Sequence, residues 1–177
     1  MARGLRREGR QPLFFGEVAD LAAGVRSLQE TRPDCLVGLP GQILTLARAW
    51  PELRPRSVLL SADNVPPELR REVEALWQTR VVAHWGMRET GLGGAVECLA
   101  RDGYHIRHGN LFLEIIDPIS GATLPPGIRG ELVISTLDRE AMPLLRYRTG
   151  DMAHLVTTTC ACGSRLPRLG YVEGHKG

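Results

Sequence analysis

A single acid surrounded by glycines is the first candidate for chemistry in this sequence. The stretch HWGMRETGLGG, residues 84–94, carries one carboxylate, Glu89, shortly after the β-branched pair Val81–Val82. A carboxylate offers the oxygen ligands that Mg²⁺ takes, and the indole of Trp85 offers a flat face for stacking. The alternative is a tight turn after a strand, with Trp85 in the core and Glu89 in solvent. Glycine would let the backbone approach a ligand closely; the glycines in question are Gly86, Gly91, Gly93 and Gly94.

A second acid follows a Thr-Gly pair in RYRTGD, residues 146–151. A carboxylate on a tight turn can accept two hydrogen bonds from a vicinal diol such as that of ribose. An ordinary type I or type II turn is the alternative. Ligands of open α/β sheets bind beyond the carboxyl ends of the strands. Asp63 and Trp85, which follow the apolar runs SVLLS and RVVAH, would therefore share a crevice with Glu89 if those two strands are neighbours.

Three of the four cysteines suggest a metal site. Cys98, His105, Cys160 and Cys162 supply the donors of a tetrahedral Cys₃His zinc centre, and Gly163 permits the turn that would direct two thiols to one ion. The Cys-x-Cys spacing is tighter than the usual Cys-x₂-Cys, and a metal-free set of buried thiols is the alternative. Rival ligands are His84, His108 and His154. The fourth cysteine, Cys35, lies in the apolar run CLVGL and is predicted to be a core residue.

The first half of the chain alternates helix and strand patterns. This alternation predicts an α/β layer with mostly parallel strands. The expected elements are a helix over 17–30, a strand over 35–39, a helix after Pro40, a strand over 57–61, a helix capped by Asp63 or Asn64 with Pro66 and Pro67 in its first turn, and a strand over 80–84.

The second half has a different pattern. Short runs separated by turn residues, LFLEIID, ELVIST, PLLRYR and MAHLVT, predict a small antiparallel β-barrel-like lobe. The change of pattern places a domain boundary after the glycine-rich stretch, between residues 1–94 and 95–177. In a barrel of this kind, the proposed zinc ion would join the first and last strands.

Composition limits the function classes. The formal net charge of +2 over 177 residues is too small to favour nucleic acid as a partner, and a basic amino terminus interrupted by Glu8 does not change that. The sequence lacks an apolar run of membrane-spanning length and the apolar core of a secretory signal, and its few cysteines suit a reducing compartment. A cytoplasmic protein without a membrane partner is expected. Since Lys176 is the only lysine, a mobile catalytic ammonium group is nearly excluded.

Taken in order, five segments resemble the adenylate-forming acyl-CoA ligases, and most closely the phenylacetate-CoA ligase group. The segments are GLPGQILTLAR, the strand that ends in Ser61-Ala62-Asp63, HWGMRETGLGG, DPISGATLPPGIRGELVIST and MPLLRYRTGD. The resemblance implies an enzyme that joins a carboxylic acid to ATP, releases pyrophosphate, and passes the acyl group from the adenylate to coenzyme A. An aromatic acid is the expected substrate.

The resemblance also implies roles for individual residues. Trp85 would stack against adenine, Glu89 would act in catalysis by holding Mg²⁺ against the phosphates, and Asp151 would bind the ribose hydroxyls. Arg88 stands where the family usually has a small hydroxyl residue at the α-phosphate, and residues 91–95 match the wall of the acyl pocket. The further nucleotide-binding residues would be Ser61, Ala62 and Asp63 beside the adenine, and Gly86 and Met87 next to Arg88.

Several family features are missing from this sequence. The resemblance predicts a Ser/Thr/Gly-rich phosphate loop before the first segment and a carboxyl-terminal lobe with a catalytic lysine, and neither pattern is found. His175 stands where an arginine usually holds the ribose, and Gly177 about where the hinge acid is expected. The sequence is therefore interpreted as the second half of the large domain, poorly active alone, with a partner chain as one source of the absent lobes.

The resemblance adds weight to the zinc prediction. Relatives often carry matching patterns, some with zinc bound; here the matches are Glu97-Cys98, Gly103-Tyr104-His105 and Cys160 to Gly163. A fully ligated site of this kind is structural, because it leaves no open position for catalysis. Two other functions stay open: a noncatalytic nucleotide-binding or scaffolding remnant, and a zinc-bearing nucleic-acid module, which the low charge disfavours.

Overall fold

Residues 6–13, 20–61, 65–91 and 93–175 are described in the computed structural model. The chain divides into two units, Met1–Val81 and Val82–Gly177. This division falls inside a strand, ahead of the pattern change between residues 94 and 95, so the glycine-rich stretch belongs to the second unit. The boundary drawn from the pattern stays a prediction.

The first unit alternates helices and strands as its sequence pattern predicts. Its elements are α1 (Leu21–Thr31), β1 (Cys35–Gly38), α2 (Pro40–Ala49), β2 (Ser57–Leu60), α3 (Pro67–Trp77) and the first residues of β3 (Arg80–Trp85). Strands β1 and β2 pair in parallel, with Leu36 opposite Val58. The α/β class predicted for this half is confirmed.

Local chemistry sets the ends of the helices. The Asp20 carboxylate accepts hydrogen bonds from the backbone N–H groups of Ala22 and Ala23, at 2.9 and 3.2 Å, and so caps α1. The predicted cap of α3 is wrong: Pro66 occupies the cap position and Pro67 begins the helix, since a proline needs no hydrogen bond to its nitrogen there. Asp63 and Asn64 lie outside the described residues.

One face of the β1–β2 pair carries the core of the first unit. Leu36, Val58 and Leu60 point into it and meet the apolar sides of the helices, which include Ile43 of α2 and Trp77 of α3. Residues on the other face of β1 are exposed, among them Cys35. The prediction that Cys35 is a core residue is therefore wrong, because successive side chains of a strand point to opposite faces.

Two antiparallel sheets make up the second unit. The first has the order β3–β4–β5–β10–β9, and the second has the order β11–β8–β7–β6. The strands are β4 (Ala95–Glu97), β5 (Tyr104–Ile106), β6 (Leu111–Ile116), β7 (Gly130–Thr136), β8 (Tyr147–Ala153), β9 (Leu155–Val156), β10 (Arg168–Leu169) and β11 (Glu173–His175). The change to antiparallel strands in this half is confirmed.

The run from Pro143 to Thr157 folds differently from its predicted pair of strands. PLLRYR and MAHLVT were expected to form separate strands around a Thr-Gly turn, but Tyr147–Ala153 is one strand. Its register against β7 shifts between Glu131 and Val133, and Gly150 at φ 79° lies in the shifted stretch. A bulge in β8, and not a turn, therefore carries the RTGD sequence.

The core of the second unit joins its two sheets. Leu132 and Ile134 of β7, Ile106 of β5 and Trp85 of β3 belong to one buried cluster. No helix among the described residues combines the length and the apolar character that crossing a membrane requires.

Candidate functional site

Asp151 lies on the bulged part of β8 and contacts the end of β3. The indole Nε1 of Trp85 donates a hydrogen bond of 2.9 Å to its Oδ2. The backbone N–H of Asp151 donates to Thr149 Oγ1, and this hydroxyl donates to the carbonyl of Leu132. The two hydrogen bonds stabilise the bulge. Strand β11 pairs alongside and sets His175 opposite Asp151. The carboxylate is half-buried, with a fixed orientation.

Glu89 lies on a single 3₁₀ turn, Arg88–Thr90, that follows β3. Its carboxylate is half-buried, and Oε1 lies 3.5 Å from the hydroxyl of Tyr147 on β8. The turn is closed by Thr90, whose hydroxyl accepts from the backbone N–H of Met87 at 3.0 Å. Glu89 is thus neither in the core nor freely solvated.

These two contacts hold together the two chain segments that carry the candidate acids. Trp85 binds Asp151, and four residues further along β3 and its turn Glu89 meets Tyr147, which precedes Asp151 by four residues. The segment 85–89 therefore runs beside the segment 147–151. A ligand shared by the two acids requires these segments to be neighbours, and they are.

Trp85 is a core residue, as the alternative interpretation of the turn predicted. Its side chain is only 8% exposed, and its six-membered ring packs on the backbone of Gly94. A Cβ atom at Gly94 would lie 2.7 Å from Trp85 Cε3. Stacking of this ring on a base stays a prediction, because the described contacts of Trp85 are with the protein.

The glycines of the stretch make room for the protein itself. A Cβ atom at Gly86 would lie 2.8 Å from the Cα of Gly93, and one at Gly91 would lie 2.6 Å from Nη2 of Arg139. The observed close approaches are within the chain, and a close approach of this backbone to a ligand stays a prediction. Leu92, in the predicted acyl-pocket wall, lies outside the described residues, whereas Ala95 is buried at the start of β4.

Sequence reasoning missed three side chains around the Glu89 turn. Arg107 donates from Nη2 to the carbonyl of Thr90 at 3.1 Å, Arg139 lies against Gly91, and Tyr147 contacts Glu89. With the exposed Arg88, these residues place three guanidinium groups on or beside a turn that carries one acid. Guanidinium groups are the preferred partners of phosphate oxygens. Nothing local distinguishes Arg107 or Arg139 from ordinary surface arginines in the sequence.

The remaining predicted nucleotide contacts belong to the first unit. Ser61 follows β2, and its backbone N–H donates to the carbonyl of Gly38 at 3.0 Å. Ala62 and Asp63 lie outside the described residues. Their predicted position beside an adenine is untested and stays a prediction.

The four predicted zinc ligands come together. The donor atoms of Cys98, His105, Cys160 and Cys162 all lie within 4.8 Å of one another. The sulfurs of Cys98 and Cys160 are 3.6 Å apart, and Cys162 Sγ is 3.4 Å from His105 Nε2. Within the described part of the chain, this group includes none of the rival histidines.

The cluster lies along one sheet and not between opposite ends of a barrel. Cys98 directly follows β4, His105 is the middle residue of β5, and Cys160 and Cys162 lie between β9 and β10. Since β10 pairs with β5, the two loops meet at one place of the sheet. The expectation that a metal would join the first and last strands is corrected accordingly. Gly163, at φ 87°, makes the predicted turn, and its N–H donates to the carbonyl of Cys160 at 2.8 Å.

The donor set fits a tetrahedral zinc ion. Bonds of about 2.3 Å from zinc to thiolate would hold neighbouring sulfurs roughly 3.8 Å apart, close to the separation observed here. A hydrogen bond from the backbone of Cys162 lowers the pKa of Cys160, whereas burial raises the pKa of the Cys98 thiol. A divalent cation would stabilise all three thiolates together. Nε2 of His105 faces the sulfur of Cys162 and is therefore the nitrogen placed to bind the ion, whereas Nδ1 is buried without a hydrogen-bond partner among the described residues.

Comparisons with known proteins agree on one group. A phenylacetate-coenzyme A ligase of Thermus thermophilus is 34% identical over 160 residues, which cover 85% of this chain and 36% of that protein. One of Escherichia coli is 36% identical over 168 residues, which cover 89% of this chain and 38% of that protein. The chain thus spans little more than a third of the length of the curated relatives it matches. No protein-family model matches the sequence.

Solved structures show the same fold. An open conformation of 2-hydroxyisobutyryl-CoA ligase in complex with 2-HIB-AMP and CoA gives a TM-score of 0.83 with 22% sequence identity. The similarity covers 94% of this chain and 39% of that chain. At this identity the similarity concerns the fold alone.

Proposed function

We propose that this chain holds the ribose and the Mg²⁺-bound phosphates of ATP in an acid–CoA ligase, because the chain belongs to the phenylacetate-CoA ligase-like group of adenylate-forming enzymes. The observation that supports this proposal is the pair of contacts between segments 85–89 and 147–151, which brings together the two segments that carry Glu89 and Asp151.

Each acid has a distinct part in this proposal. Asp151 would accept hydrogen bonds from the ribose hydroxyls with its carboxylate oriented by the indole N–H of Trp85. Glu89 would bind Mg²⁺, which offsets the charge of the phosphates during adenylation. Arg88, Arg107 and Arg139 add positive charge around the same turn. Ser61, Ala62 and Asp63 would contact the adenine.

The whole reaction needs more than this chain. The proposed enzyme converts a carboxylic acid, expected to be aromatic, to its adenylate and then to a coenzyme A thioester. The matched regions make up little more than a third of the relatives, so the remaining segments would come from the rest of a longer polypeptide or from a partner chain. A cytoplasmic location is proposed on the ground that the four cysteines are unpaired.

Nucleotide binding tests the proposal directly. Calorimetric titration with AMP, and with ATP in the presence of Mg²⁺, should give saturable binding to the purified chain. Asp151→Ala should weaken AMP more than pyrophosphate, because only AMP carries ribose, and Glu89→Gln should remove the Mg²⁺ dependence. The exposed Glu140 gives a matched control, Glu140→Gln, that should bind as the wild type does.

Two results separate the alternatives. Binding of AMP without acid-dependent exchange of pyrophosphate into ATP would favour the noncatalytic remnant. Failure of a folded sample to bind either nucleotide, or full affinity in both acid variants, would overturn the assignment of Glu89 and Asp151.

We also propose that Cys98, His105, Cys160 and Cys162 hold a structural zinc ion. The mutual distances of the four donor atoms support this, and four protein ligands leave no open coordination position for substrate. The ion would fix the loop after β4 and the loop after β9 to each other, next to β5.

A further inference from the structure

We infer that Arg168 is a positioning residue for the zinc centre: it ties the two ligand-bearing loops together and balances the negative charge of three thiolates. The inference rests on the zinc site proposed above. It concerns a side chain that supplies no ligand and that the sequence gives no reason to select.

The burial of Arg168 is the first observation. Its side chain is fully buried, at 0% exposure, and it is the only basic residue in that state among the described residues. A buried guanidinium costs free energy unless hydrogen bonds and opposite charge compensate it. The local environment of Arg168 therefore has to supply both.

The hydrogen bonds come from two different loops. Nη1 donates to the backbone carbonyl of Asp102 at 2.7 Å and also contacts the Asp102 carboxylate. Nη2 donates to the carbonyl and the hydroxyl of Thr158, at 3.1 and 3.2 Å. One rigid fork thus holds both loops at once, a geometry that the single point charge of lysine does not reproduce.

Those two loops are the ones that carry the proposed ligands. Asp102 lies between Cys98 and His105, and Thr158 precedes Cys160 by two residues. Arg168 itself pairs with His105 in the ladder between β5 and β10. Every ligand is therefore on a segment that Arg168 either contacts or pairs with, and removal of the fork would free the two loops to separate.

Charge gives a second reason for a cation at this place. Zinc bound by three thiolates and a neutral imidazole carries one net negative charge. The carboxylate of Asp102 is 64% exposed, so solvent screens it, whereas the buried Cys160 thiol faces a drier environment. The hydrogen bonds to Asp102 and Thr158 and the pairing with His105 place the guanidinium next to the cluster. The pKa of Arg168 is raised by Asp102 first, and also by Cys160 and Cys98.

Zinc affinity, measured by competition with a chromophoric chelator at fixed pH, tests the inference. The pH is held because binding releases the thiol protons to solvent. Arg168→Met should weaken zinc by about 10–100-fold, the usual effect of removing a residue that orients metal ligands. Arg168→Lys should recover part of the loss, since it restores the charge but not the fork. Leu132→Ala, a core variant on the other sheet, should lower stability and leave the affinity unchanged.

The outcomes distinguish this inference from the zinc proposal itself. If the wild-type chain binds no zinc, the zinc proposal fails. If the wild type binds zinc and Arg168→Met binds it equally well, the zinc proposal stands and the role of Arg168 is overturned. Should Arg168→Met fail to fold, the double variant Asp102→Asn/Thr158→Val offers a second test. It keeps the Arg168 guanidinium but weakens the contacts of this group with both loops. That variant should lose zinc affinity several-fold, and wild-type affinity in it would likewise overturn the inference. Co²⁺ substitution adds a spectroscopic readout, because the thiolate-to-cobalt absorption band reports whether all three sulfurs still bind.

Discussion

The cysteine–histidine cluster and the pair of acids solve the same problem, holding reactive side chains together, in different ways. All four cluster donors lie on a strand of one sheet or on loops next to its strands, within 4.8 Å of one another. Asp151 lies on a strand of the second sheet and Glu89 on the turn after β3 of the first, and each contacts an aromatic residue of the opposite segment, Trp85 for Asp151 and Tyr147 for Glu89. The proposed metal site takes all four ligands from this chain, whereas the proposed nucleotide site also draws on segments found in longer relatives.

This contrast indicates which of the two binding activities, for metal or for nucleotide, the chain should retain by itself. A site whose donors are joined by neighbouring strands needs only the local sheet to form. A site assembled across two sheets depends on the packing between them, here on Trp85 and the glycine stretch. We therefore expect metal binding to be more robust than nucleotide binding in this chain.

Loss of a cluster thiol should have the largest effect. Cys160→Ser should reduce zinc affinity by more than about 100-fold, because it removes a ligand, whereas residues that merely orient ligands contribute about 10–100-fold. Metal content after dialysis against a weak chelator measures this. The exposed Cys35 provides the control, and Cys35→Ser should retain the metal. Equal metal content in both variants would contradict the proposal that the cysteine–histidine cluster holds the metal.

The second-largest effect is expected from overpacking of the glycine-rich stretch. Gly94→Ala forces a methyl group against the Trp85 ring and should destabilise the second unit by about 1–3 kcal/mol. Gly109 has open space around its Cα, so Gly109→Ala should be nearly neutral. Urea unfolding followed by tryptophan fluorescence measures both. An unaltered midpoint for Gly94→Ala would mean that Trp85 does not occupy the described position.

Removal of the indole N–H should have a moderate effect. Trp85→Phe keeps most of the apolar packing but takes the donor from the Asp151 carboxylate, at a cost of about 1–2 kcal/mol. AMP affinity should fall together with stability, because the acid loses its fixed orientation, and zinc affinity should not change. Parallel titrations with AMP and zinc check this; coupled loss of both would show that the two sites are not independent.

The smallest effect is expected at Tyr147. Its hydroxyl lies at the long distance of 3.5 Å from Glu89, so Tyr147→Phe should barely alter the unfolding midpoint. The Mg²⁺ dependence of ATP binding should weaken only several-fold. A loss as large as that of Glu89→Gln would assign Tyr147 a direct role in place of Glu89.

Long periodic elements were predictable from the sequence, and short ones were not. The helices and strands of the first unit, and strands β6 and β7, follow from apolar spacing over six or more residues or from flanking prolines. The two- and three-residue strands β4, β5, β10 and β11 contain too few positions for any period to appear. The bulge in β8 was missed because Thr-Gly-Asp is equally typical of a turn.

The candidate sites show the same limit. The motif order predicted the ligase group, which the curated relatives confirm. The donor types of the residues predicted the four cluster residues that the structure brings together, and the resemblance added weight to that prediction. Residues that position a site without supplying a ligand were not predictable from the sequence. Arg168 is one basic residue in GSRLPRLGY, and only the pairing of β10 with β5 buries it beside the ligands.

The metal content of the purified wild-type chain tests most directly the claim that one region is complete by itself. The chain is prepared in metal-free buffer, reconstituted with one equivalent of zinc without any nucleotide, and measured by elemental analysis with X-ray absorption at the zinc edge. We expect one tightly held zinc per chain with three sulfur neighbours and one nitrogen neighbour. A folded chain that releases the zinc on gel filtration, or that binds it through oxygen ligands, would contradict the account.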